Sequence, residues 1–151
     1  MNPSDSYDEV LEFAIDREID ANQFYLALAD RVDNMKMRKV FEELALEELE
    51  HKEKLELELM KMGNAVKIKQ PPDTPTKTYI ISNTQSLLDM DYKDILLLGI
   101  EKEEASFRIY VDLVANAYDS ESREVLLSLA QEEVRHKLRF QTEYDLIMKQ
   151  L

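Results

Sequence analysis

The sequence predicts an all-α fold: a four-helix bundle of two pseudo-symmetric helical hairpins joined by a long crossover. Three observations carry this. Apolar residues recur at three- and four-residue intervals over four long segments. The 151 residues include only two glycines and four prolines, with 44% apolar and 34% charged side chains, the composition of a helix-rich domain. Finally, Ala14–Leu55 aligns with Gly99–Phe140 without a gap at an offset of 85 residues, so one hairpin is used twice. A single domain over residues 1–151 accounts for the length, enough to bury about two thirds of the surface the unfolded chain exposes.

The first helix starts near Ser6, where Ser6 and Glu9 have the spacing of a capping box, and ends near Asp33-Asn34. Its apolar stripe is Leu11, Ala14, Ile15, Ala21, Tyr25, Leu28 and Val32. The second begins at about Met35, carries Phe41, Leu44, Ala45, Leu55, Leu59 and Met62, and stops at Gly63-Asn64. These two form the hairpin of about 6–63. Residues 64–91 break the pattern with three prolines and several turn residues, and read as the crossover, with Tyr79-Ile80-Ile81 lying against the bundle. A third helix from about Asp91 presents Leu96, Ile100, Phe107, Tyr110, Leu113 and Val114. Asp119 or Ser120 then caps a fourth that runs to the C-terminus, completing the hairpin of about 92–151.

Composition excludes several functions. A formal charge of −13 argues against nucleic acid, whose phosphates need clustered Lys and Arg, and favours cations as partners. With no cysteine the chain holds no disulfide, thiol redox centre, cysteine-ligated iron–sulfur cluster or rubredoxin-type iron site. The N-terminus lacks the basic start and apolar core of a signal peptide, and the longest apolar run is far shorter than a membrane span. The expectation is a soluble, cytoplasmic protein.

The stretch Leu44 to Leu55, LALEELEHKEKL, puts Glu48 and His51 on the apolar stripe, away from the solvated face of Glu43, Glu47 and Glu50. Burying charge there is costly unless something compensates it. The only two histidines, His51 and His136, each follow a glutamate by three residues, Glu48 and Glu133, a spacing that turns both side chains to one side of a helix. Glu18 and Glu103 lie on the stripes of the first and third helices. From the turn at Asn34, Glu18 is about 24 Å back and Glu48 about 21 Å on at 1.5 Å per residue, so they meet at one level, and the repeat gives Glu103 and Glu133 the same match. Four glutamates and two histidines thus converge at mid-bundle. Four buried carboxylates need counter-charge, which two divalent cations supply. Carboxylate and imidazole donors suit iron or manganese better than a structural zinc, which takes thiolates and imidazoles in a closed tetrahedron.

In these residues the sequence resembles the ferritin-like di-iron carboxylate proteins, and within them the rubrerythrin family, whose bundles supply one Glu from each of two helices and a Glu-x-x-His from each of the other two. The resemblance spans about residues 7–151. It implies a ferritin-like bundle holding two iron ions, Fe2+ or Fe3+, with manganese as the other candidate. Glu18 and His51 would bind one iron and Glu103 and His136 the other. Glu48 and Glu133 would bridge them as the catalytic carboxylates, and Tyr25 and Tyr110 would donate hydrogen bonds that hold carboxylate ligands in place. The implied activity is that of an oxidoreductase, a peroxidase or ferroxidase, reducing H2O2 or O2 as Fe(II) is oxidised. The alternatives are an iron-handling protein for storage or delivery and a non-catalytic metal-binding bundle. Many rubrerythrins carry a rubredoxin domain with four cysteines; this sequence has none, which implies an external electron donor such as rubredoxin. Family habit implies a homodimer or larger homo-oligomer. Rubrerythrins with peroxidase activity usually have a further glutamate one turn after the third-helix ligand, where this chain has Ser106.

The remaining features have plainer readings. Met35, Met37, Met60 and Met62 read as gap-filling or surface residues. The acidic runs Glu42-Glu43 and Glu56-Leu57-Glu58 read as solvated helix faces.

Overall fold

A computed structural model describes residues 7–63 and 91–150. Among them the chain forms four helices and no strand: α1 (Tyr7–Arg31), α2 (Met35–Lys61), α3 (Tyr92–Ala115) and α4 (Ser120–Lys149). The Ser6 cap, the predicted crossover up to residue 90 and the placing of Tyr79-Ile80-Ile81 lie outside the described residues.

The helix boundaries follow from local chemistry. Asn34 caps α2, its side chain accepting from the Met37 amide at 3.2 Å. Asp119 is its counterpart in the repeat and accepts from the Ser122 amide at 2.8 Å; Asp119, of the two candidates, is therefore the cap of α4. Asp91 precedes α3 in an extended conformation without a capping hydrogen bond from its side chain. After Lys61, α2 closes through Met62 into Gly63, whose φ of 82° is accessible to glycine at little cost.

α1 packs along α2 and α3 along α4, and the hairpins meet through α1 against α3 and α2 against α4. Tyr25 reaches Glu103 and Tyr110 reaches Glu18, so α1 and α3 are antiparallel. His51 reaches Glu132 and His136 reaches Glu47, so α2 and α4 are too. With α1 and α2 already antiparallel, α2 and α3 run in the same direction, which a tight turn cannot link. These paired contacts exchange under the 85-residue offset, and a pseudo-twofold axis crosses the middle of the bundle.

The apolar core is divided there. One cluster gathers Phe24, Tyr25, Leu28, Met37, Phe41, Leu96 and Phe140, with their neighbours, and the other gathers Leu11, Ile15, Leu55, Leu59, Leu113, Leu126 and Leu129. On α2, α3 and α4 the Glu and His positions fall between the residues of the two clusters, and on α1 Glu18 sits at their border. Ile100, Phe107 and Val114 are only partly buried at the rim.

Glu58 departs from the predicted solvated face. It is 6% exposed, and Ser122 Oγ donates to its Oε2 at 2.5 Å, because α2 packs there on the fully buried Ser122 in the first turn of α4. Sequence periodicity within one helix does not show a contact made by another.

Candidate metal centre

The six predicted side chains stand together in the buried layer between the two apolar clusters. Each is at most 4% exposed. The donor atoms of Glu18, Glu48, His51 and Glu133 all lie within 4.8 Å of one another, and so do those of Glu48, Glu103, Glu133 and His136. Glu48 and Glu133 belong to both groups; Glu18 with His51, and Glu103 with His136, belong to one each.

The arrangement around each imidazole is specific. His51 Nδ1 lies 2.9 Å from Glu133 Oε1, 3.5 Å from Glu18 Oε2 and 3.6 Å from Glu48 Oε1. His136 Nδ1 lies 3.5 Å from both Glu48 Oε1 and Glu103 Oε2. The two rings are nearly parallel, 4° apart with centroids separated by 6.0 Å. Both therefore turn Nδ1 inward.

The tyrosines act across the bundle. Tyr110 donates to Glu18 Oε1 at 2.8 Å, and Tyr25 donates to Glu103 Oε1. Sequence reasoning paired each tyrosine with carboxylates in general; the antiparallel packing of α1 and α3 gives each one the carboxylate of the other hairpin. Burial, with the charges of nearby glutamates, pushes both hydroxyls well above their usual pKa, so they stay protonated donors.

The electrostatics follow from desolvation. Burial, with Glu18, Glu133 and Glu103 around it, pushes the Glu48 carboxyl well above the usual range; burial with Glu103 and Glu18 does the same to Glu133. Burial opposes charge on His51, yet Glu18, Glu48 and Glu132 outweigh it and raise the imidazole to about 9. His136 is raised in the same way, chiefly by Glu103. Burial also opposes charge on Glu103, but the neighbouring His136 imidazole and Glu133 carboxyl, with the hydrogen bond from Tyr25, hold it below the usual range. Protons therefore hold down the charge of the layer.

The residues fit a cation pair. Eight buried atoms of these six side chains have no hydrogen-bond partner: one carboxylate oxygen each of Glu18 and Glu103, both oxygens of Glu48 and Glu133, and Nδ1 of each histidine. Buried polar atoms are rarely left so, and here all eight belong to the two converging groups. Glu18 and Glu103 each give one oxygen to a tyrosine and keep the other free. The donors are oxygen and imidazole nitrogen only, a set suited to iron or manganese.

Two further residues were missed by sequence reasoning. Glu47 and Glu132 reach the outer nitrogens of His136 and His51, at 2.7 Å and 2.6 Å. Glu47 was assigned to the solvated face, where its side chain does remain 42% exposed, but its tip crosses to α4. The signal was present in the repeat, which aligns Glu47-Glu48 with Glu132-Glu133.

Comparison with known structures agrees with this architecture. A candidate ferritin-like diiron-carboxylate protein from Thermotoga maritima is 19% identical with a TM-score of 0.76, the match covering 96% of this chain and 98% of that one. A hypothetical protein from Pyrococcus furiosus is 23% identical with a TM-score of 0.76, over 95% and 91% of the two chains. A PmFTN variant soaked in iron is 17% identical with a TM-score of 0.75, over 95% and 88%. No curated protein matches the sequence. The structural likenesses establish a ferritin-like bundle, while the sequence itself matches the rubrerythrin family over residues 9–144, a span that includes all six converging side chains; the chain belongs to the rubrerythrin family.

Proposed function

We propose that this protein is a di-iron oxidoreductase of rubrerythrin type, reducing H2O2 or O2 as Fe(II) is oxidised, with electrons returned by a donor outside these 151 residues. The observation that carries it is the set of eight unpartnered donor atoms converging from four helices. Bound iron would supply the electron transfer by passing between ferrous and ferric states. Glu18 and His51 would hold one ion, Glu103 and His136 the other, and Glu48 and Glu133 would be shared. Tyr110 and Tyr25 fix the two unshared carboxylates, and the apolar layers on either side keep bulk water from the centre. A cavity of about 200 Å³ between α1 and α3 has room for a small oxidant. It is lined by Arg17 and Lys102, the chain neighbours of Glu18 and Glu103, and by Ser106.

Ser106 favours a second reading. It is buried on α3 one turn beyond Glu103, where peroxide-reducing relatives usually offer another carboxylate, so O2-driven ferroxidation for iron handling is the alternative. Anaerobic ferrous loading, then separate mixing with H2O2 and O2, tests both. The expected result is two Fe(II) bound per chain and oxidised faster than free iron. Faster oxidation by H2O2 identifies a peroxidase; faster oxidation by O2, with many irons processed per chain, identifies an iron-handling protein. Less than one metal ion per chain overturns both.

A further inference from the structure

The 85-residue offset also pairs residues outside the six converging side chains. The cavity between α1 and α3 is lined by three such pairs: Arg17 with Lys102, Asp20 with Ala105, and Ala21 with Ser106. It therefore lies on the pseudo-twofold axis. Ala21 and Ser106 are buried, whereas Glu101, which also lines it, is exposed.

The cavity gathers cations that nothing in the metal centre uses. Asp20 attracts both Arg17 and Lys102 but offsets only one of their two charges, and the two cations repel each other. The Lys102 ammonium lies 4.8 Å from the centroid of the Phe24 ring on α1, which holds it at the seam between the helices. Arg17 Nε is buried without a hydrogen-bond partner, and among the described residues it is the one such atom on an arginine or lysine. An N–H left so has given up water without replacement. Guanidinium and ammonium donors make their strongest hydrogen bonds to oxyanions, and Ser106 adds a hydroxyl. The chain as a whole carries a charge of −13, so any attraction for an anion must be local.

We propose that Arg17, Lys102 and Ser106 form a binding site for a small inorganic oxyanion, seated on the pseudo-twofold axis beside the metal centre. The site does not depend on bound metal, and an anion in it fills the space that a small oxidant would otherwise enter. The probes are inorganic phosphate and bicarbonate, each titrated calorimetrically at pH 7 into the full chain freed of metal, where no anion is drawn to a bound ion. The expected result is one saturable site per chain for at least one of them; the tetrahedral and the planar anion distinguish the two sources. Arg17→Met and Lys102→Met are each expected to weaken binding about 10–100-fold. Arg17→Lys keeps the charge and should lose less, and Arg108→Met, which removes an exposed charge elsewhere on α3, should leave the affinity unchanged. Circular dichroism checks the fold of each variant. Should a methionine variant not fold, the 15N–1H signal of Arg17 Nε in wild-type protein, assigned by its loss in Arg17→Lys, is expected to shift on titration with the bound anion. No saturable binding of either anion, binding that survives both methionine substitutions, or an Arg17 signal that does not move overturns the proposal. None of these outcomes touches the metal-centre reading, which ferrous loading tests separately.

Discussion

Glu48 shows what the centre costs. Its carboxyl is fully buried, both oxygens lack partners, and three other glutamates crowd it. Such a group destabilises the metal-free fold, and replacing it by an apolar side chain of similar size relieves both desolvation and repulsion. Glu48→Leu is therefore expected to raise metal-free stability by about 1–3 kcal/mol, the scale found when buried charged groups are replaced by apolar ones. The same change is expected to abolish stoichiometric metal binding. Urea unfolding of metal-free protein and metal analysis after loading check the two halves, and a destabilised variant that still binds metal would contradict both. Much of this was legible in the sequence, because Glu48 and His51 break the apolar stripe of α2 and Glu133 and His136 repeat the break. Glu47 was not, since its position on α2 marks it as solvated and only α4 supplies its partner.

At the scale of the helices, the repeat is strict at the centre and relaxed in the core. Gly99 on α3 corresponds to Ala14 on α1, and Phe140 on α4 to Leu55 on α2. A Cβ at Gly99 would stand 3.1 Å from the Phe140 ring. That ring is fully buried and packs at 5.9 Å and 6.0 Å from Tyr25 and Phe41, so it has little room to retreat. The larger ring and the smaller backbone position therefore compensate each other. Gly99→Ala gains up to about 1 kcal/mol of helix preference, but overpacking costs about 1–3 kcal/mol, and the expected result is a net loss. In a Phe140→Leu background, which recreates the Ala14 and Leu55 pair, the same substitution should become stabilising. A double-mutant cycle of unfolding free energies measures the coupling, and additivity would show that the contact does not matter. The helices themselves were readable from periodicity and caps. The division of the core into two clusters, one on each side of the centre, required knowing which helices face each other.

For the whole molecule the centre links pH, metal and stability. Groups whose folded pKa is raised favour the folded state most below their unfolded values, and that contribution is lost as pH rises through the folded values. For Glu48 and Glu133 the loss starts from about pH 4.5 upwards; for His51 it runs from about 6.5 to about 9. Metal-free protein should thus lose stability from this layer as pH rises. Metal binding has the opposite dependence, since cations must displace these protons. At a hundredfold excess over its dissociation constant one ion adds about 2.7 kcal/mol, or about 5–10 °C in Tm for a domain of this size. The expected outcome is a Tm gap between Mn(II)-loaded and metal-free protein that widens from pH 6 to pH 8 under anaerobic conditions. A gap that is constant or narrows would mean that the ligands do not release protons on binding.

The sequence by itself determined the helical class, the duplication, the level at which four glutamates and two histidines meet, and the donor chemistry, because each depends on residue type and on spacing along one chain. Only the tertiary structure decided which hairpin serves which ligand. Tyr110 holds Glu18, Tyr25 holds Glu103, Glu132 holds His51 and Glu47 holds His136, each reaching across from the other hairpin. Helical periodicity fixes the direction of a side chain about its own axis, and it contains no information on the partner helix; that is set by the antiparallel docking of the two hairpins around their pseudo-twofold axis.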